Sequence, residues 1–391
     1  MSGGLALYIH WPFCVSKCPY CDFNSHVREN VDQAAWRDAL LADMAHEAAL
    51  TAGARVSSIF FGGGTPSLMP AETVAALIAA AERHWGFADD VEITLEANPN
   101  SVEVARFAAL AQAGVNRVSL GIQALDDKTL QFLGRAHGAD EGLRAIAAAQ
   151  GCFGRVSFDL ITARPGQSLA EWEAELGRAL ALGTGHLSLY QLTIEPGTRF
   201  ETLHRKGELV LPDENLSADL FAATAAMTAA AGLPAYEISN HARPGEESRH
   251  NLTYWRYGDY AGVGPGAHGR RSSGEAGDDG RRRAIATERH RKPENWIAAV
   301  AASGHGIKAE RVLTPHTRAT EALLMGLRLA EGVDLARVAA MSGVRQEALV
   351  DAAALARLQA LGLVEQQGSR LRVLAAGMLL LDAILPEVVA L

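Results

Sequence analysis

Much that would mark a membrane, secreted or nucleic-acid-binding chain is missing from these 391 residues. No uninterrupted apolar run approaches the ~20 residues that span a bilayer, so no membrane helix is expected. The opening Met1-Ser2-Gly3-Gly4 has neither a basic stretch nor an apolar run, and no signal peptide is expected either. Positive charge is in deficit: 36 Lys and Arg against 45 Asp and Glu leave a net charge of −9 and no electrostatic footprint for nucleic acid. Cysteine is scarce, with four in all. Three of them, Cys14, Cys18 and Cys21, crowd into eight residues, which is not how a long chain builds a disulfide scaffold. Cys152 stands alone and reads as a small buried hydrophobe. A reducing, cytoplasmic setting is the expectation. What is present is 48% hydrophobic and 21% charged residues, enough for a large core and two or three domains.

Six segments read as strands, each followed by a helix-like stretch: 5–11, 56–61, 91–97, 117–123, 155–161 and 186–194. Ala-, Leu- and Glu-rich stretches at 31–50, 71–85, 102–113, 141–150 and 169–182 lie between them. That alternation predicts parallel βα units, as a barrel or a doubly wound sheet. The strand faces decide further. Ile93 and Leu95 share one side of their strand and Glu92, Thr94 and Glu96 the other; Ser119, Gly121 and Gln123, and Ser157 and Asp159, repeat the polar side. A closed eight-stranded barrel is filled by bulky branched side chains. A small, polar second face instead predicts an open, incomplete barrel around a wet ligand cavity.

Beyond Leu233 the pattern loosens, and 246–249 and 272–283 read as loops rich in Gly, Ser, Arg and Asp. Helical stretches at 317–330, 335–341 and 349–361, then short runs at 362–365 and 370–373, resemble a winged-helix module serving as a lid or docking domain rather than a DNA reader. The division expected is a core barrel at 1–233, an extension with site-closing loops at 234–308, and the C-terminal winged-helix-like domain at 309–391.

Cys14-Val-Ser-Lys-Cys18-Pro-Tyr-Cys21 follows the first strand directly. Three thiolates on one loop can each hold one iron of a cubane and leave the fourth iron open. The alternative is zinc, with His10 or His26 as the fourth ligand. Phe60-Phe61-Gly62-Gly63-Gly64-Thr65-Pro66-Ser67 ends the second strand, and its bare backbone can approach a ligand's amino and carboxylate groups. Tyr8, Glu96, Gln123, Asp159 and Thr193 fall at or near strand ends, with Arg135 shortly after the fourth strand. The C-terminal mouth is where such barrels keep their chemistry.

Together these motifs resemble the radical S-adenosylmethionine superfamily, whose C-x3-C-x2-C binds a 4Fe-4S cluster and commonly has an aromatic residue before the third Cys, here Tyr20. The resemblance implies an α/β fold, an incomplete (β/α)6-type barrel, and S-adenosylmethionine as cofactor beside the cluster, with a reductant to supply it. It extends over nearly the whole chain to the oxygen-independent coproporphyrinogen III oxidase branch. By that match Tyr8, Gly64, Glu96 and Gln123 contact the cofactor, with Thr65 and Pro66 in the glycine motif. Arg135 grips a carboxylate, Asp159 sits deeper, Thr193 lies at the mouth, and His268 lies near the cofactor or is a buried structural histidine.

Within the branch, the true oxidase carries a fourth Cys two residues after the third, where this chain has Phe23, and a segment before the cofactor Tyr, where Tyr8 has little ahead of it. His250-Asn251-Leu252-Thr253-Tyr254-Trp255 matches a motif of the branch's haem chaperones, which bind haem and hand it to acceptor proteins. The resemblance thus implies a haem chaperone with an acceptor to be identified; the alternative is the oxidase. Imidazole can ligate haem iron, so His250 is the expected ligand; the bland reading is that His250 and Asn251 serve a turn while Tyr254 and Trp255 are core. Arg270, Arg271, 281–283 and 289–292 can reach propionates or simply face solvent. One departure is Thr162 in Thr162-Ala163-Arg164-Pro165, where family members commonly have Tyr. Gly262-Val-Gly264-Pro-Gly266-Ala267 imitates a dinucleotide fingerprint, but no long strand precedes it.

Overall fold

The computed structural model describes residues 4–28, 30–276 and 281–389. Its main sheet begins with six parallel strands, β1 (Leu5–Trp11), β2 (Val56–Gly63), β3 (Phe87–Ala97), β4 (Arg117–Gln123), β5 (Arg155–Thr162) and β6 (His186–Gln191), adjacent in that order. Helices at 33–50, 71–85, 139–152 and 169–181 cover the outside. The last of these starts on a reciprocal capping box between Ser168 and Glu171, then buries Trp172, Leu176 and Ala179. The alternation expected of an open barrel holds: Val118, Leu120 and Ile122 are buried under helices, while Glu92, Thr94, Ser119 and Ser157 are buried on the inner face.

The sheet does not close on itself. At one edge β7 (Asn240–Ala242) runs antiparallel to β6. At the other, β8 (Tyr260–Val263) lies parallel to β1 and leads into an antiparallel meander of β9 (His268–Ala276), β10 (Arg282–Arg289) and β11 (Ile307–Val312). This corrects the loop expected at 272–283: Ser272–Ala276 and the residues from Arg282 are strand, while 277–280 lie outside the described residues. Three arginines of the charge runs expected to reach propionates or face solvent are anchors instead. Arg289 is fully buried, donating to Asp43 (2.7 Å) and Glu47 (2.9 Å) of the first helix, and Arg271 pairs with Glu310. Arg270 makes a two-pronged bond to Glu321 at 3.0 Å. Each of these three guanidiniums is committed to a carboxylate. Cys152 is also corrected: it ends its helix on the solvent side and is exposed.

A second core gathers residues 319–388 around Leu323, Leu335, Leu349 and Leu371. Helices at 315–326, 335–342 and 352–360 pack there with a small sheet of β12 (Val333–Asp334), β13 (Val364–Gln367) and β14 (Arg370–Val373). Arg256–Glu331 (2.8 Å), Tyr257–Glu321 (2.7 Å) and Arg270–Glu321 join this module to the barrel. Among the described residues no helix is long and apolar enough to cross a membrane.

Candidate functional site

The ends of the barrel differ in how their polar groups are satisfied. Where the strands begin, Glu92 is buried against Arg155 (2.6 Å) and Arg117 (4.0 Å) and accepts from the backbone of Arg249 and His250, both at 3.2 Å. Burial alone would raise this carboxyl, but the two guanidiniums and the backbone donors outweigh it and hold it below the usual range. Residues 246–250 thus plug the floor.

Where the strands end, a cavity of about 820 Å³ opens. Its lining includes Cys14, Cys18, Tyr20 and Cys21 from the loop after β1, Gly63, Gly64, Thr65 and Pro66 after β2, and Glu96, Gln123, Arg135, Asp159 and Thr193 from the other strand ends. The glycines are required by close approach. A Cβ on Gly64 would fall 2.6 Å from the Phe13 carbonyl oxygen, and Gly63, at φ +115°, would meet the His10 ring at 2.6 Å. Gln123 sits at a register shift with φ +72°, an uncommon conformation for a side chain-bearing residue, at the rim of the cavity.

Each thiol has its own neighbour. Thr65 Oγ1 donates to Cys14 Sγ at 3.5 Å, Arg135 Nη1 to Cys18 Sγ at 3.2 Å, and Ser25 lies 3.9 Å from Cys21 Sγ. Arg135 is further held by the Gly121 carbonyl (2.9 Å), while its buried Nε has no partner. Among the described residues no three His, Cys, Asp or Glu side chains converge tightly enough for a single ion. His10 bonds Tyr8 and the Asn24 carbonyl, both at 2.9 Å, so neither of its nitrogens is offered as a fourth zinc ligand, and His26 bonds the Asn24 side chain through Nε2. A cubane, by contrast, distributes three thiolates over separate irons.

Two carboxyls face this space. Burial raises Glu96 to about 8, with repulsion from Asp159 adding to it, and burial raises Asp159 to about 6. Glu96 accepts from the Gly63 backbone at 3.2 Å. Two acids pushed towards neutrality in a cleft are a pattern found at sites awaiting a cation.

Three expected site residues are not among those lining the cavity. Tyr8 points into the barrel one layer below, its hydroxyl on His10. His268 stands exposed on β9, opposite Glu288. His250 is fully buried in the short helix at 249–255, stacked on Phe60 at 4.9 Å; Nδ1 is bonded to Ser58 (3.1 Å) and Nε2 to Tyr254 (2.8 Å). With both nitrogens engaged, it presents none to an iron in the cavity. The Thr162 departure is harmless to the cavity, since its hydroxyl turns to Gln167. Sequence reasoning missed Asn98, which bridges Thr65 and Arg135, and Tyr190, which is 42% exposed at the cavity. The polar inner face of β6 was the available signal for Tyr190: His186, Ser188 and Tyr190 alternate on it.

Comparisons with known proteins agree with this geometry. The radical SAM superfamily profile matches residues 8–178 and the HemN C-terminal domain profile residues 313–380. The Heme chaperone HemW of Escherichia coli is 39% identical over 88% of this chain and 88% of its own length. That of Mycobacterium tuberculosis is 35% identical over 97% and 93%. The mitochondrial Radical S-adenosyl methionine domain-containing protein 1 of Bos taurus is 44% identical over 84% and 74%. Among solved structures, coproporphyrinogen III oxidase (HemN) of E. coli shares the fold, with a TM-score of 0.79 at 23% identity over 98% of this chain and 90% of that one. Superfamily membership implies a 4Fe-4S cluster and S-adenosylmethionine, which suit the three thiols, the glycine cradle and the unpaired Arg135 nitrogen. This chain therefore belongs to the HemW family of haem chaperones within the radical S-adenosylmethionine superfamily.

Proposed function

We propose that this protein binds haem and delivers it to acceptor proteins, in a reducing compartment such as the cytoplasm. Cys14, Cys18 and Cys21 would hold the cluster, and the backbone of Gly63 and Gly64 with Glu96, Gln123 and Arg135 would hold S-adenosylmethionine. The chemistry that pair supplies when bound is reductive cleavage of a sulfonium, given a reductant. The chain's own residues do the positioning. Thr65 and Arg135 donate to the Cys14 and Cys18 sulfurs and so help to orient them. Glu96 and Asp159 offer negative charge to a cationic ligand, whose arrival would pull both back to carboxylates.

The observation that carries the chaperone reading is Phe23, 59% exposed and lining the cavity beside the cysteines, where the oxidase is expected to have a further Cys. It supplies an apolar surface in place of a thiol. The likeness to the E. coli Heme chaperone HemW over most of both chains supports the same reading. The test is an anaerobic haem titration of the cluster-reconstituted protein, followed by its Soret band beside an unrelated control protein. Saturation at one haem per chain is expected. Binding no better than the control would overturn the reading and favour the oxidase, to be assayed with coproporphyrinogen III.

A further inference from the structure

The cavity has two unlike sides. One carries the cysteines, the glycine turn and the carboxyls already described. The other is made by the end of β6 and by elements packed beyond it: Leu189, Tyr190 and Leu192, Phe221 from the helix at 214–230, and Ile238. No motif accounts for this side, and none of the cofactor assignments uses it.

Tyr190 is the informative residue. It is 42% exposed, yet its burial within the protein pushes its hydroxyl well above the ordinary value, with Asp159 adding to the effect. The two observations are reconciled if the ring faces an internal cavity rather than bulk water. A large aromatic face kept bare inside a protein has forgone favourable burial, and ligand pockets are lined in this way. Ile238 touches this cavity and also packs against the second hydrophobic core, so the apolar wall is formed where the C-terminal module meets the barrel. Asp382, from the last helix of that module, stands at the same rim.

We propose that this wall, centred on Tyr190 and Phe221 with Ile238 behind them, is the seat of the haem macrocycle. The inference rests on the haem-chaperone reading and names the surface on which the cargo lies. A flat, apolar ring system recognises broad aromatic and branched aliphatic surface through area and stacking, without needing an iron ligand. The wall comes from the last strand of the parallel run and the elements beyond it, and the cysteines from the loop after β1, so different elements of one cavity would hold cargo and cluster.

The test uses metal-free protoporphyrin, which has no axial ligand position and so separates the wall from metal ligation. Reconstituted full-length wild type, Tyr190→Ser, Phe221→Ser and Tyr190→Phe are titrated by Soret difference spectra. Cluster absorption reports folding, and S-adenosylmethionine affinity is measured alongside. At least tenfold weaker porphyrin binding is expected for each serine variant, with affinity kept in Tyr190→Phe because the ring and not the hydroxyl makes the contact. The two serine substitutions lie on different elements, so misfolding of one leaves the other decisive. Serine variants within twofold of a binding wild type would overturn the wall assignment alone. So would an equal loss in Tyr190→Phe, or a loss confined to S-adenosylmethionine. A wild type that binds neither protoporphyrin nor haem would overturn the chaperone reading beneath it.

Discussion

The floor and the mouth of this barrel are both polar and both buried, yet they are organised to opposite ends. At the floor, Glu92 meets two arginines and two backbone donors, and His250 has both nitrogens bonded. At the mouth, Glu96 faces Asp159 with like charge and a nitrogen of Arg135 lacks a partner. A satisfied buried network specifies the fold, whereas an unsatisfied one holds interaction energy in reserve for a ligand. The lesson is that burial of charge does not identify a functional site; the state of its partners does.

The sharpest way to break this comparison is to remove a thiol. Cys18→Ala is expected to abolish cluster absorption after reconstitution while leaving the melting temperature of the cluster-free protein within a degree or two; unfolding of that variant would show the mouth to be structural. At the floor the order reverses. Glu92→Ala strands the buried Arg117 and leaves Arg155 with Glu246 alone, and leaving buried charge unpaired costs about 3–5 kcal/mol. Denaturant unfolding should show that loss, and a change under 1 kcal/mol would dissolve the distinction between the two ends.

His250→Ala comes next. It deletes hydrogen bonds to Ser58 and Tyr254 in the interior, for which a loss of about 1–3 kcal/mol is expected. The haem Soret titration should be unchanged. Weakened haem binding by a protein of otherwise native stability would instead place the cargo at the floor.

The smallest effect is in pH. The Glu96 carboxyl is raised to about 8 from its ordinary value of 4.5, so the folded state prefers it protonated. Its contribution to stability is therefore intact below pH 4.5 and declines as pH climbs towards 8. Glu96→Gln should raise the melting temperature of cluster-free protein by a few degrees at pH 8.5, and the gap should vanish at pH 4. Glu92, held low, has the opposite sign: its contribution is present above the ordinary carboxyl value and is lost as acid is added. A common direction of shift in both glutamine variants would mean that the two carboxyls share one environment.

Local patterns made a large share of this molecule readable. The strands at 5–11 and 117–123 and the helix at 71–85 were delimited by periodicity alone, and residues alternating along β3 announced an interior that was not apolar. The cysteine triplet, the glycine turn, Glu96, Gln123, Arg135, Asp159 and Thr193 all reach one cavity because a parallel barrel collects its strand ends at one mouth. The misreadings share a cause. Arg271 and Arg289 read as charges for propionates or solvent because their partners, Glu310, Asp43 and Glu47, are distant in sequence. His250 looked available because Ser58, which occupies its Nδ1, is 192 residues away.

The chemistry this protein can hold is written along its chain: three thiols within one short loop, a glycine turn that admits backbone to a ligand, and strands with a polar inner face. These are properties of neighbours along the chain, and short-range sterics and periodicity suffice to specify them. Which buried polar groups are spent and which are free is set by the fold, as is the turning of Tyr190 towards the cavity shared with the cysteines. Hydrogen-bond saturation and exposed area depend on what the fold brings alongside each residue, as Ser58 is brought to His250 from 192 residues away.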